Sequence, residues 1–251
     1  MGHERFMLTA PGGPSPQRRS TGMVESSRPE VVRVESVTRT YVSQAGRVCA
    51  VDCASVSLMA GEMCAMLGAS GSGKTTLLNI IAGLDVPDSG SVMVRGVALN
   101  GLSEKERARI RLENVAVVFQ DDNLIAEFTA RENIAIPLLA RGMTFREADQ
   151  RADDALQELG IGDLGDRPPA DMSGGQRQRV GIARALAGEQ SVLLADEPTG
   201  ALDSKASRAL FERLGGLAHD HGVCVLIATH DPLCTEYADR IVNVNDGRIL
   251  E

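Results

Sequence analysis

The 251-residue sequence contains no tryptophan, two tyrosines and five phenylalanines. An aromatic share of 3% leaves little to stack on exposed bases, and a formal charge of -8 opposes a polyanion, so no nucleic-acid partner is expected. No apolar run approaches the roughly 20 residues that cross a bilayer, and no segment has the basic start and apolar stretch of a signal peptide. The chain is therefore expected on the cytoplasmic side. Cysteine is sparse and odd in number: Cys49, Cys53, Cys64, Cys224 and Cys234. Most lie in apolar strand-like runs and read as buried thiols rather than a disulfide framework. Cys49 and Cys53 make at most half a zinc site, since no second Cys/His pair stands at metal spacing.

What is present divides along the chain. Residues 1–29 hold Pro11-Gly12-Gly13-Pro14-Ser15-Pro16 and Gln17-Arg18-Arg19-Ser20, a mixture unable to bury enough apolar area to offset chain entropy, and are expected to form a disordered tail. Strands are expected at 31–36 and 48–58 about a turn at 44–47, then at 63–67, 91–94, 97–99 and 115–119. A helix over 76–82, ended by Gly83, makes this first part mixed β with one helix. From Asp121 the character becomes helical: Thr129…Glu132 and Thr144…Glu147 both fit a capping box, the second opening a helix to about Gly160. Beyond this insert, about 121–175, the continuous apolar runs 191–195 and 223–228 read as strands covered on both faces. Such strands interleaved with helices imply an α/β core with a parallel sheet.

Gly68-Ala69-Ser70-Gly71-Ser72-Gly73-Lys74-Thr75 matches the phosphate-binding pattern GxxxxGK[ST], and its flanks are the strand and helix that the pattern requires. Backbone N–H groups of such a loop and the helix dipole cradle phosphate, Lys74 reaches the β and γ phosphates, and the Thr75 hydroxyl holds magnesium. A flexible Gly/Ser linker would have polar flanks instead. Downstream, Leu193-Leu194-Ala195-Asp196-Glu197-Pro198 puts two carboxylates at a strand end, Asp196 suited to support magnesium and Glu197 to activate water as general base. Ser173-Gly174-Gly175-Gln176 has capping-box spacing, and its paired glycines would let an oxyanion approach a second helix N-terminus.

With Gln120 and His230 added, these motifs resemble, in order and approximate spacing, the nucleotide-binding subunit of ABC transporters. The resemblance runs from about Val31 to the end, making residues 30–251 one nucleotide-binding domain with the helical insert inside it. It implies a P-loop NTPase core: a mixed, mostly parallel sheet, an antiparallel β subdomain and an inserted α-helical subdomain. It also implies ATP and Mg2+ as ligands, with Thr76 closing the phosphate loop. Tyr41 matches the aromatic that stacks on adenine, Gln120 the glutamine that senses magnesium and attacking water, and His230 the γ-phosphate histidine. Asp203 matches the loop through which two subunits communicate, and would serve equally as the N-terminal carboxylate of the next helix. Each ATP would be sandwiched between the phosphate loop of one copy and Ser173 to Gln176 of a second. Three positions depart from the pattern: Met172 for leucine, Ala116 for glycine and Gly181 for alanine.

Within the family, the stretches Leu77 to Asp85, Val118 to Leu124 and Pro198 to Ser204 look most like the lipoprotein-release, macrolide-export and antimicrobial-peptide-resistance branch. That branch pairs with FtsX-like integral membrane permeases, which implies a peripheral subunit on the cytoplasmic face of the membrane. The insert, especially Asp121 to Leu139, would form the groove for the permease's coupling helix. A non-transporting signalling complex is the alternative, and an ABC ATPase of DNA repair or translation a more distant one, since the chain has no long coiled-coil or zinc insert and no second ATPase unit. The transported substrate is not legible, because the permease contacts it.

Overall fold

The structure is a computed structural model that describes residues 28–43 and 46–250. Most of the 1–29 tail, and part of the expected turn at 44–47, lie outside the described residues. An antiparallel sheet is formed by β1 (Glu30–Ser43), β2 (Gly46–Met59), β4 (Ser89–Val94) and β5 (Val97–Ala98) in the order β2-β1-β4-β5. The central sheet has the order β10-β9-β3-β8-β7-β6, built from β3 (Met63–Leu67), β6 (Val115–Val118), β7 (Val192–Asp196), β8 (Cys224–Thr229), β9 (Arg240–Asn245) and β10 (Arg248–Leu250). Its pairings are parallel except that of β10 with β9.

Period-two alternation divides the central strands between two cores. Cys64, Met66, Val192, Leu194, Cys224, Leu226 and Ala228 face the antiparallel sheet and α1 (Lys74–Ile81). Met63, Ala65, Leu193, Ala195, Val225 and Ile227 face α6 (Ser204–His221) and the Ile182–Ala185 side of α5 (Gly174–Leu186). A third core joins α3 (Ala130–Ala140) and α4 (Phe145–Glu158) to the opposite side of α5 through Ile134, Leu138, Leu156, Val180 and Ala183. The helical insert thus packs on the same helix that closes the sheet, and α5 links the two.

All three expected capping boxes, at Thr129, Thr144 and Ser173, are formed. Three expectations are corrected. The first part contains a second helix, α2 (Glu104–Asn114), which buries no residue and so has no apolar stripe to reveal it. Strands β9 and β10 were not anticipated: β9 is an alternating strand with only Val242 and Val244 buried. Of the cysteines, Cys64, Cys224 and Cys234 are buried, but Cys49 and Cys53 are exposed on β2. The end of β2 carrying Cys49 projects beyond the core, and Cys53 sits at positive φ where the pairing with β1 shifts register.

Candidate functional site

Four neighbouring parallel strands, β3, β8, β7 and β6, end together, as Leu67 pairs with Thr229, Asp196 with Ala228 and Val118 with Ala195. Their C-terminal edge is where ligands sit in open α/β sheets. The residues beyond those ends line a cavity of about 240 Å³: Ser70, Gly71, Gly73, Lys74, Thr75, Thr76, Gln120, Asp196, Glu197 and His230, with Val48 and Ala50 from β2.

The loop's glycines answer to backbone crowding. A Cβ on Gly73, which has φ 105° and caps α1 without a side-chain bond, would meet the Ala50 carbonyl oxygen at 2.1 Å. One on Gly68 would meet the Val244 carbonyl oxygen at 2.3 Å. The unanticipated β9–β10 hairpin therefore walls the loop, and the Gly247 N–H donates to the Ser72 carbonyl at 2.9 Å. The buried Lys74 donates through Nζ to the carbonyls of Gly68 (2.7 Å) and Ala69 (3.0 Å). Ala69 and Ser72 shape the loop without lining the cavity.

At the end of β7, burial pushes the Asp196 carboxyl above its ordinary range; the Thr75 hydroxyl and Lys74 oppose this and Glu197 adds to it. One buried oxygen, Oδ1, has no hydrogen-bond partner. A carboxylate and a hydroxyl are the oxygen donors a magnesium ion takes when substrate phosphates supply further ligands. No cluster of three or more His, Cys, Asp or Glu able to hold a metal by itself occurs among the described residues.

Glu197 has φ 45°, a left-handed conformation that costs a non-glycine residue on the order of 1–3 kcal/mol, and its surroundings enforce it. Its N–H donates to the Ala228 carbonyl (2.8 Å), and its own carbonyl accepts from the Gly200 N–H (3.1 Å) and from Nε2 of buried Gln178 (3.2 Å). Its carboxylate accepts from the Thr229 hydroxyl at 2.9 Å and lies 2.9 Å from His230 Nδ1. Thr229 and Gln178 were missed in the sequence. Thr229 ends an apolar strand and Gln178 interrupts the buried face of α5, so a polar residue in an apolar period was the available signal.

Three expected elements lie elsewhere. Tyr41 is outside the cavity lining, although its partner across the β1–β2 pairing, Val48, belongs to it. Its hydroxyl donates to Asp85 at 2.5 Å, and the Arg39 guanidinium lies 4.8 Å from its ring centroid. Asp203 caps α6, accepting from the Ala206 N–H at 2.8 Å. Ser173, Gly174, Gly175 and Gln176 open α5 but contribute nothing to the cavity. A Cβ on Gly175 would lie 2.9 Å from the Ala201 carbonyl oxygen, which places that helix start against the loop before Asp203.

A family profile described as ABC transporter matches residues 51–200. The lipoprotein-releasing system ATP-binding protein LolD of Chromohalobacter salexigens is 40% identical over 221 residues, covering 88% of this chain and 93% of that protein. The macrolide export ATP-binding/permease protein MacB of Salmonella typhimurium is 42% identical over 215 residues, 86% of this chain but 33% of that longer protein. Among solved structures, the dimeric post-hydrolysis state of the ATP-binding cassette MJ0796, bound to ADP and Pi, superposes with a TM-score of 0.85 at 36% identity, covering 88% of this chain and 97% of that one. The chain is therefore a member of the ABC transporter family, an ATP-binding and ATP-hydrolysing subunit.

Proposed function

We propose that two copies of this chain bind two ATP molecules between them, with magnesium, and that hydrolysis drives an FtsX-like permease from the cytoplasmic face of the membrane. The observation that carries this is the division of the motifs: one chain's cavity gathers the phosphate loop, Gln120, Asp196, Glu197 and His230 but leaves out Ser173 to Gln176. A second helix start of that composition, opened by neutral capping groups, suits a γ phosphate held by the other copy.

In each site the N–H groups of residues 68–76 and Lys74 bind the phosphates. Thr75 and Asp196 would hold magnesium, with Gln120 as a further group of that site, and the metal would supply neutralisation of phosphate charge. Glu197, oriented by Thr229 and His230, takes the proton of the attacking water, and His230 contacts the γ phosphate. Tyr41 reaches adenine from the β1–β2 hairpin, and Asp203 carries changes between the copies. Residues 30–251 act as one domain with the helical insert 121–175.

No helix among the described residues is long and apolar enough to cross a membrane. Relatives named for lipoprotein release and macrolide export favour extraction or export of a lipoprotein, peptide or drug-like molecule.

The test is sedimentation of the Glu197→Gln chain with ATP and magnesium. It should run as a dimer with ATP and a monomer with ADP, and adding Ser173→Arg should abolish the dimer without abolishing nucleotide binding. A monomer that binds ATP tightly in both variants would refute the shared site.

A further inference from the structure

Immediately beyond Gln120 the backbone makes a sharp elbow. The Asn123 N–H donates to the Asp121 carbonyl across a three-residue turn, and Asp122 and Asn123 both have positive φ, 42° and 49°. Asp and Asn tolerate that region better than other non-glycine residues, yet two in succession need external support. The support comes from one face of α5. Arg184 donates to both elbow carbonyls, Nη2 to Asp122 at 2.8 Å and Nη1 to Asn123 at 2.7 Å. One turn earlier than Gly181, Arg177 Nε donates to the Asp122 carboxylate at 3.0 Å. Between the two arginines lies Gly181, where an added Cβ would stand 3.2 Å from the Asp122 carbonyl oxygen and 3.6 Å from its Cα. The elbow's backbone therefore rests on the helix at a position without a side chain.

This contact gives Gly181 a role that helix chemistry does not. A glycine in a helix interior is unfavourable relative to alanine, and nothing in α5's own geometry requires it, since Gly181 is not at positive φ. Arg177 and Arg184 lie about one turn to either side of it on the same helix face.

We propose that Gly181, Arg184 and Arg177 are positioning residues for Gln120: α5 holds the 121–123 elbow in its strained form and thereby sets where Gln120 stands in the cavity. This rests on the reading of Gln120 as a group of the hydrolytic site. The three residues touch the elbow and not the nucleotide, so their effect is on turnover and not on ATP affinity. Gly181→Ala is the informative change. It should leave the melting temperature unchanged or raised, because alanine favours the helix, while forcing the Asp122 carbonyl outward.

The experiment measures steady-state phosphate release, ATP affinity and melting temperature for the full chain carrying Gly181→Ala, Gln120→Ala or both. The expected result is a fall in kcat of about tenfold for Gly181→Ala, ATP affinity within about twofold, and little further fall when it is added to Gln120→Ala. Wild-type kcat in a normally melting Gly181→Ala chain would overturn the proposal, as would equal fold-losses on the two backgrounds. If Gly181→Ala melts low, Arg184→Lys, able to reach only one of the two carbonyls, is carried through the same cycle with the same criteria. Wild-type kcat in Gln120→Ala would instead defeat the underlying reading of Gln120, an outcome separable from the other two.

Discussion

Replacing Glu197 by Gln separates what this side chain does for the fold from what it does for chemistry. The amide is nearly isosteric: its oxygen can still accept from the Thr229 hydroxyl at 2.9 Å, and its NH2 can donate to a neutral His230 Nδ1, now 2.9 Å from the carboxylate. The positive φ constrains glutamine no more than glutamate. Exchanging charge-assisted for neutral hydrogen bonds costs on the order of 1 kcal/mol each, and loss of the repulsion with Asp196 offsets part of it. The net change should therefore stay near 1 kcal/mol, a shift of roughly 2–4 °C in melting temperature for a chain of this size. A general base is worth about 10²–10⁴ in rate, or roughly 2.7–5.5 kcal/mol of barrier, which exceeds the structural effect severalfold. Phosphate release should accordingly fall by at least about 100-fold while equilibrium ATP binding and the melting curve barely move. Turnover within about threefold of wild type, in a chain that binds ATP normally, would refute the assignment of the base.

Gly73→Ala should abolish ATP binding and lower stability by about 2 kcal/mol or more, because φ 105° and an Ala50 carbonyl oxygen 2.1 Å from the new Cβ leave no relaxed position; titration with a fluorescent ATP analogue and a thermal melt check both halves. Tyr41→Ala should weaken ATP affinity about tenfold if the ring stacks on adenine, whereas Tyr41→Phe, which loses only the 2.5 Å bond to Asp85, should bind within about twofold of wild type. Equal losses in the two variants would assign Tyr41 a structural role through Asp85.

The parts of the site that were legible are those whose signal is local. Strand, glycine loop and helix follow one another over residues 63–81, and the carboxylate pair ends a continuous apolar run. Capping boxes were read at Thr129, Thr144 and Ser173 but missed at Ser103, where the same Ser…Glu spacing opens α2. Glu104–Asn114 has no apolar period to extend that signal, because Arg107 and Arg111 lie over the surface, donating to the Gly83 carbonyl. The grip on Glu197 was not legible, since Thr229 reaches it only because β8 pairs with β7. The need for glycine at position 68 was only half visible: a phosphate loop explains it, but Val244 of β9, the other half of the cause, lies far along the chain.

An acidic chain can bind a polyphosphate because the site's electrostatics are local. At physiological salt the screening length is about 8 Å, so the net charge of -8 has little force within the cavity compared with aligned N–H groups and Lys74. The helices carry the same logic in their first turns. Helices α2, α3 and α4 close their capping boxes with Glu106, Glu132 and Glu147, each carboxylate neutralising its own helix dipole. The two helices assigned to anions have no acidic residue in the first turn: α1 starts from a bare Gly73, and α5 closes an otherwise identical box with Gln176. Glutamine keeps both capping hydrogen bonds while leaving the positive end of the dipole uncompensated. Were α5 only a well-capped structural helix, glutamate would serve at position 176 as it does at 106, 132 and 147. The neutral choice leaves that end of the helix open to a negative charge from outside it, as the proposed shared site requires, and within one chain α5's start lines no part of the phosphate cavity.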